Sequence, residues 1–186
     1  MNSEELYNEL SKILEEGADR VKASVVRDLI KIFKSGKVED KLFVKVLNMF
    51  EYIWDYSWYN HYEFELDDKS IEEILATAKS LISEEDYNSL IAYLDEEQGN
   101  AKELEGTVWD ELQKAEGKTV YDLDSYYITE WIFDNVSEDT SLLLKIKLGN
   151  KPEYIKSFAR ELDDILFDAE EENKESGYNL YIDFEG

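Results

Sequence analysis

Cysteine is absent from the 186 residues, which excludes a disulfide framework and any thiolate metal site. Histidine occurs once, as His61 in the aromatic stretch WYNHYEF. A Ser–His–Asp or Cys–His arrangement would have to be built on that one ring, and a packed or hydrogen-bonded imidazole is its more ordinary role. The sequence has no Gly-x-Ser-x-Gly elbow, no phosphate-cradling glycine loop and no His-Glu-x-x-His helix. No run approaches the roughly 18 uninterrupted apolar residues of a membrane span. The first residues, MNSEELYNEL, are acidic and amphipathic, unlike the basic leader and apolar core of a secretory signal. The expectation is a soluble cytoplasmic protein that is not an enzyme and carries no cofactor.

Bases are also scarce. Twenty stand against 45 carboxylates, for a net charge of −25. Such a field repels nucleic acid and anionic membranes and attracts basic surfaces. The chain is nevertheless expected to fold, because 43% of it is apolar and it holds 25 aromatic residues, too much core-forming material for a disordered acidic chain. The charge is unevenly placed. Residues 20–45 carry eight bases (Arg20, Lys22, Arg27, Lys31, Lys34, Lys37, Lys41 and Lys45) and only three acids. This patch is expected to dock on the chain's own acidic face or on another copy, giving a homo-oligomer, rather than on nucleic acid, which ordinarily requires a basic domain.

Local signals predict mostly helix. Residues 3–16 form an amphipathic helix capped by Ser3 and stopped by Gly17. Asp19 is expected to cap a second helix running to Lys34, and a third spans about Glu39 to Ser57. His61 to Leu66 reads as a short strand. Ser70 with Glu73, and Ser83 with Asp86, open two further helices, the second ending near Gly99. Thr107 is expected to cap a short helix stopped by Gly117. Residues Tyr126–Asn135 read as a helix, with a strand as the alternative. Leu142, Leu144, Ile146 and Leu148 alternate with Leu143, Lys145 and Lys147 and predict a strand with one wet face. Asn150, Glu153 and Pro152 then open a helix to Glu172, and Tyr178, Leu180, Ile182 and Phe184 predict a last strand. The expected fold class is α+β: an N-terminal helical unit over residues 1–60, then an acidic part over 61–186 ending in a strand–helix–strand element in a small sheet, or one continuous domain.

Two features stand out as candidate contact surfaces. On the last long helix, Ile155, Phe158, Leu162, Ile165, Leu166 and Ala169 fall on one face at 100° per residue. Glu161, Asp164, Asp168, Glu171 and Glu175 fall on the opposite one. Their axial spacing of about 4.5–6 Å is of the order of the roughly 3.4 Å rise between phosphates on a strand. A solvated face is the ordinary explanation of such a stripe. Here, though, basic partners at i+4 are almost missing, and each like-charge pair costs a few tenths of a kcal/mol. The second feature is the aromatic segment 50–64, in which Tyr52, Tyr56 and Tyr59 cannot all point inward and Asp55 lies among them. Exposed tyrosine beside carboxylate suits an arginine-rich partner, whereas a half-buried aromatic core with a wet rim is the structural alternative. Adjacent acids such as Asp67 with Asp68, or Asp122 with Asp124, arise readily by chance among 45 and lack the glycine of a calcium loop.

In charge and size, though in no motif, the chain is similar to acidic decoy inhibitors: phage antirestriction and anti-CRISPR proteins, and immunity proteins against nuclease toxins. That resemblance implies a partner that is a basic, nucleic-acid-binding protein whose cleft the chain occupies by mimicking nucleic-acid charge. Tyr52, Asp55, Tyr56, Tyr59, Glu161, Asp164, Asp168, Glu171 and Glu175 are the expected contacts. The alternatives are an enzyme using carboxylates and Mg²⁺, and an acidic adaptor without nucleic-acid mimicry.

Overall fold

The computed structural model describes residues 1–56, 66, 69–103, 108, 111, 115, 125–149 and 151–185. The elements are α1 (Ser3–Glu15), β1 (Val21–Lys22), α2 (Ala23–Lys34), α3 (Asp40–Asn48), a π-helical turn (Met49–Ile53), α4 (Ile71–Leu81), α5 (Glu84–Glu103), α6 (Ser125–Asn135), α7 (Glu138–Leu148), α8 (Lys151–Ser176) and β2 (Ile182–Asp183). Among the described residues the fold is mostly helical with one two-stranded parallel sheet, which pairs Val21–Lys22 with Ile182–Asp183 near the C-terminus. None of the described helices is long and apolar enough to cross a membrane. Most of the predicted strand from His61 to Leu66 and most of the predicted helix from Thr107 to Gly117 lie outside the described residues, as do Asn150 of the expected capping box, Asp67, Asp68, Asp122 and Asp124.

The chain divides into two compact units, one formed by Met1–Phe64 with Asn150–Gly186 and the other by Glu65–Gly149. The division is not a single cut near residue 60, because α8 and β2 return to the N-terminal helices. In the first unit, α8 packs along α2, and α1 packs on α3. The core here is aromatic. The Phe158 ring stands edge-on to Phe43 (5.3 Å), Phe50 (5.6 Å) and Phe33 (6.4 Å), arrangements that the ring quadrupole favours over stacking face to face.

Several helix ends differ from expectation. Asn2, not Ser3, caps α1: its side chain accepts from the Glu5 N–H at 2.8 Å while the Glu5 carboxylate accepts from the Asn2 N–H. Asp19 does not cap α2, because Val21–Lys22 is extended and pairs with Ile182–Asp183. Ser70 and Ser83 do cap their helices, each accepting at 3.1 Å from the N–H three residues on. α5 runs through Gly99 to Glu103. The third helix gives way after Asn48 to the π-helical turn, so that Phe50, Ile53 and Trp54 face inward while Tyr52 stays exposed.

The predicted strand Leu142–Leu148 is a helix. Ser137 caps it by accepting from the Thr140 N–H (3.0 Å), and acids in its first turn and bases in its last suit the helix dipole. The alternation arises because two i,i+4 pairs, Leu142 with Ile146 and Leu144 with Leu148, lie on opposite sides of α7 and both are buried. A helix covered on two sides imitates a period of two. No strand–helix–strand element therefore forms; α7, α8 and β2 follow one another, and β2 finds its parallel partner at the other end of the chain. The second unit buries Leu144 and Leu148 with Ile74, Ala78, Leu90, Leu94, Ile128 and Ile132. The Ser141 hydroxyl donates to the Thr129 carbonyl at 2.9 Å and joins α7 to α6. Within this unit Lys145 is half-buried, and that burial pushes its ammonium below the usual lysine range against the opposing pull of Glu130 and Glu138.

Candidate functional site

α8 carries carboxylates on three sides, and each side meets a different environment. On the flank toward α2, Asp163 and Glu170 stand seven residues apart, or about 10.5 Å along the axis. They meet Lys34 (2.6 Å) and Arg27 (3.3 Å), themselves seven residues apart. Asp163 pairs with the later base and Glu170 with the earlier, as antiparallel helices require. Asp28 of the same helix holds the N-terminal ammonium at 2.9 Å. Part of the basic 20–45 patch therefore docks internally. Arg20 lies 4.7 Å over the Tyr178 ring and Lys45 5.5 Å over the Tyr7 ring, whereas Lys22, Lys31, Lys37 and Lys41 are exposed.

The opposite flank is hydrogen-bonded. Glu161 accepts from the Tyr56 hydroxyl, and Glu172 accepts from the Asn179 amide at 3.0 Å. Tyr56 reaches Glu161 through local backbone geometry. Asp55 takes φ 48°, in the left-handed region that aspartate tolerates better than most residues. The chain there folds back so that the Tyr56 N–H donates to the Phe50 carbonyl at 2.7 Å. The Tyr56 ring then packs edge-on to Phe50. Asp55 thus serves the turn with its backbone, while its side chain is exposed.

Burial, then the hydrogen bond to and charge of Glu161, hold the Tyr56 phenol well above the usual tyrosine range. The neutral phenol is favoured in the folded state, so its stabilisation is complete below about pH 10, the unfolded value, and is lost as pH rises beyond it. Tyr56→Phe is expected to cost about 1 kcal/mol at neutral pH and to flatten the alkaline fall in stability. Urea melts at pH 8 and at about pH 10.5 check this; identical alkaline losses in both proteins would show that the phenol does not titrate as described.

Between the two flanks runs the outer crest. Asp164, Asp168, Glu171 and Glu175 are all exposed there. Glu171 meets Lys174 at 3.4 Å, but both side chains are more than half exposed, and such pairs contribute little. The predicted stripe is thus divided: Glu161 is engaged inside the protein, and the other four carboxylates face solvent. Tyr52 is 59% exposed on the π-helical turn, and Tyr59 lies outside the described residues. Of the three tyrosines predicted as contacts, the structure brings Tyr56 to a carboxylate of α8, while Phe50 of the same segment packs on Phe158 of that helix.

One exposed residue was not among the predicted contacts. Phe167 on α8 is 62% exposed. Its four helical neighbours, at i−4, i−3, i+3 and i+4, are Asp163, Asp164, Glu170 and Glu171. That spacing is legible in the sequence; the outward position is not.

Among the described residues no group of three or more His, Asp or Glu side chains converges to hold a metal ion. An open depression of about 520 Å³ lined by Ser3, Gly36, Lys37, Val38, Glu39, Pro152 and Ile155 contains none of the predicted contacts. The arrangement on α8 is one of charge presentation on a helix anchored along both flanks. No protein-family model, curated protein or solved structure significantly matches the chain.

Proposed function

We propose that this chain is an acidic binding protein of the cytoplasm that inhibits a basic, nucleic-acid-binding protein by occupying its nucleic-acid site with the crest of α8. The observation that carries this reading is the sorting of carboxylates on α8. Those on its flanks meet Lys34, Arg27, Tyr56 and Asn179 from elsewhere in the fold, while Asp164, Asp168, Glu171 and Glu175 remain turned to solvent, Glu171 beside the exposed Lys174 of its own helix. The crest spans about 16 Å in steps of about 4.5–6 Å, a row of negative charge on a rigid support. Complementary fields of this kind speed encounter and make it sensitive to salt. The protein's role in this reading is binding rather than catalysis.

The test compares the wild-type chain with a variant carrying Asp164→Asn, Asp168→Asn, Glu171→Gln and Glu175→Gln. Each is immobilised in host lysate at low salt and eluted with nucleic acid, and the eluted protein is assayed for nucleic-acid binding or cleavage. The expected result is a nucleic-acid-binding protein that the wild type inhibits and nucleic acid displaces, with association at least about tenfold slower for the variant. A partner without nucleic-acid-binding activity, bound equally by both proteins and indifferent to nucleic acid, would make the chain an acidic adaptor instead.

A further inference from the structure

We infer that Phe167 is the anchor of this surface and that it receives an arginine side chain of the partner, the guanidinium lying over the ring while its N–H groups reach the neighbouring carboxylates. The inference rests on the reading of α8 as the binding crest and names the chemistry that the crest selects. A single exposed apolar side chain is unremarkable on most surfaces. Phe167 differs in its setting, because every helical neighbour one turn away is a carboxylate. Two of these, Asp163 and Glu170, meet Lys34 and Arg27 of α2, which leaves Asp164 and Glu171, the latter beside the exposed Lys174, on the outer side of the ring.

An incoming group that covers Phe167 must therefore bury apolar surface and meet negative charge at once. An aliphatic or aromatic side chain does only the first, and would take carboxylates out of water without a partner, at a cost. A lysine ammonium does mainly the second, being a compact and strongly hydrated charge. Guanidinium is planar, weakly hydrated and a fork of donors, so it stacks on a ring and binds a carboxylate together. Side chains one turn apart have Cβ atoms about 5–6 Å from each other, within the span of that fork. The chain already makes the stacking half of this arrangement once, with Arg20 over Tyr178. A second copy is the poorer occupant, because two molecules of charge −25 repel each other. A nucleic-acid-binding surface is the better one, since arginine is the residue that grips phosphate there.

The experiment measures binding of fluorescein-labelled octa-arginine and octa-lysine to the full chain by fluorescence anisotropy at low salt. Wild type is expected to bind the arginine peptide about fivefold more tightly. Phe167→Ala should cut that preference about threefold while leaving the lysine affinity unchanged, and Phe167→Trp should keep it. The double variant Asp164→Asn, Glu171→Gln should weaken both peptides. An unchanged arginine preference in Phe167→Ala, or an equal loss for both peptides, overturns the role given to Phe167 and leaves the acidic-crest reading standing. Failure of both peptides to bind the wild type overturns both.

Discussion

Phe158→Ala is expected to destabilise the first unit by about 3–5 kcal/mol, the largest effect of any single change considered for this protein. Phe158 is wholly buried on the inner face of α8. Its ring is the common neighbour of Phe33 from α2, Phe43 from α3 and Phe50 from the π-helical turn. Truncation removes the transfer energy of the ring and leaves a cavity that three helical segments cannot all collapse to fill. Because domains of this size are stable by only about 5–15 kcal/mol, the loss is a large share of the total. Denaturant melts followed by near-ultraviolet circular dichroism would measure it. A loss below about 1 kcal/mol, well under the usual range for a buried Phe truncation, would mean that α8 is not held by this cluster, and the rigid support claimed for the crest would go with it.

Asn179→Ala is expected to cost about 2–3 kcal/mol and to release the C-terminal segment from the sheet. The Asn179 side chain is buried, and its carbonyl accepts from the Tyr181 N–H (2.8 Å) and the Ile182 N–H (2.9 Å), while its amide donates to Glu172. Alanine leaves those two N–H groups without their acceptor, and the Ile182 donor lies in the core. The local turn holds the Tyr181 carbonyl in position, where it accepts from the Val21 N–H at 3.0 Å and from the Trp54 indole N–H at 2.8 Å. Hydrogen exchange should therefore accelerate at the Val21 amide and at the Trp54 indole together. Asn179→Asp keeps the acceptor but sets a carboxylate against Glu172, so it should give an intermediate loss that lessens in acid. Protection at Val21 and Trp54 unaltered by either change would show that the segment is held by Ile182 burial instead.

Much of this protein was legible in its sequence because helical signals are local. The serine caps at 70 and 83 and the inward stripe of α8 follow from residues within one or two turns of each other. The outward row Asp164, Asp168, Glu171 and Glu175 follows in the same way, since a helix face is fixed by 100° per residue. Where local signals failed, a distant contact had decided the matter. Leu142–Leu148 alternates like a strand because neighbours cover two opposite sides of α7, a fact that periodicity cannot carry. Val21–Lys22 reads as the start of a helix because nothing nearby shows that residues 182–183 will pair with it.

The candidate surface divides along the same line. By itself the sequence determined that the chain is strongly acidic, mostly helical and marked by a stripe of carboxylates on one long helix. These are consequences of composition and short-range spacing. The tertiary structure decided which carboxylates are engaged: Asp163 and Glu170 by α2, Glu161 by Tyr56, Glu172 by Asn179. It also decided that Phe167 faces water. Chemically identical side chains differ in this way because an ion pair or a buried bond depends on what lies across the groove, and the partners here come from residues 7 to 143 positions away in the chain.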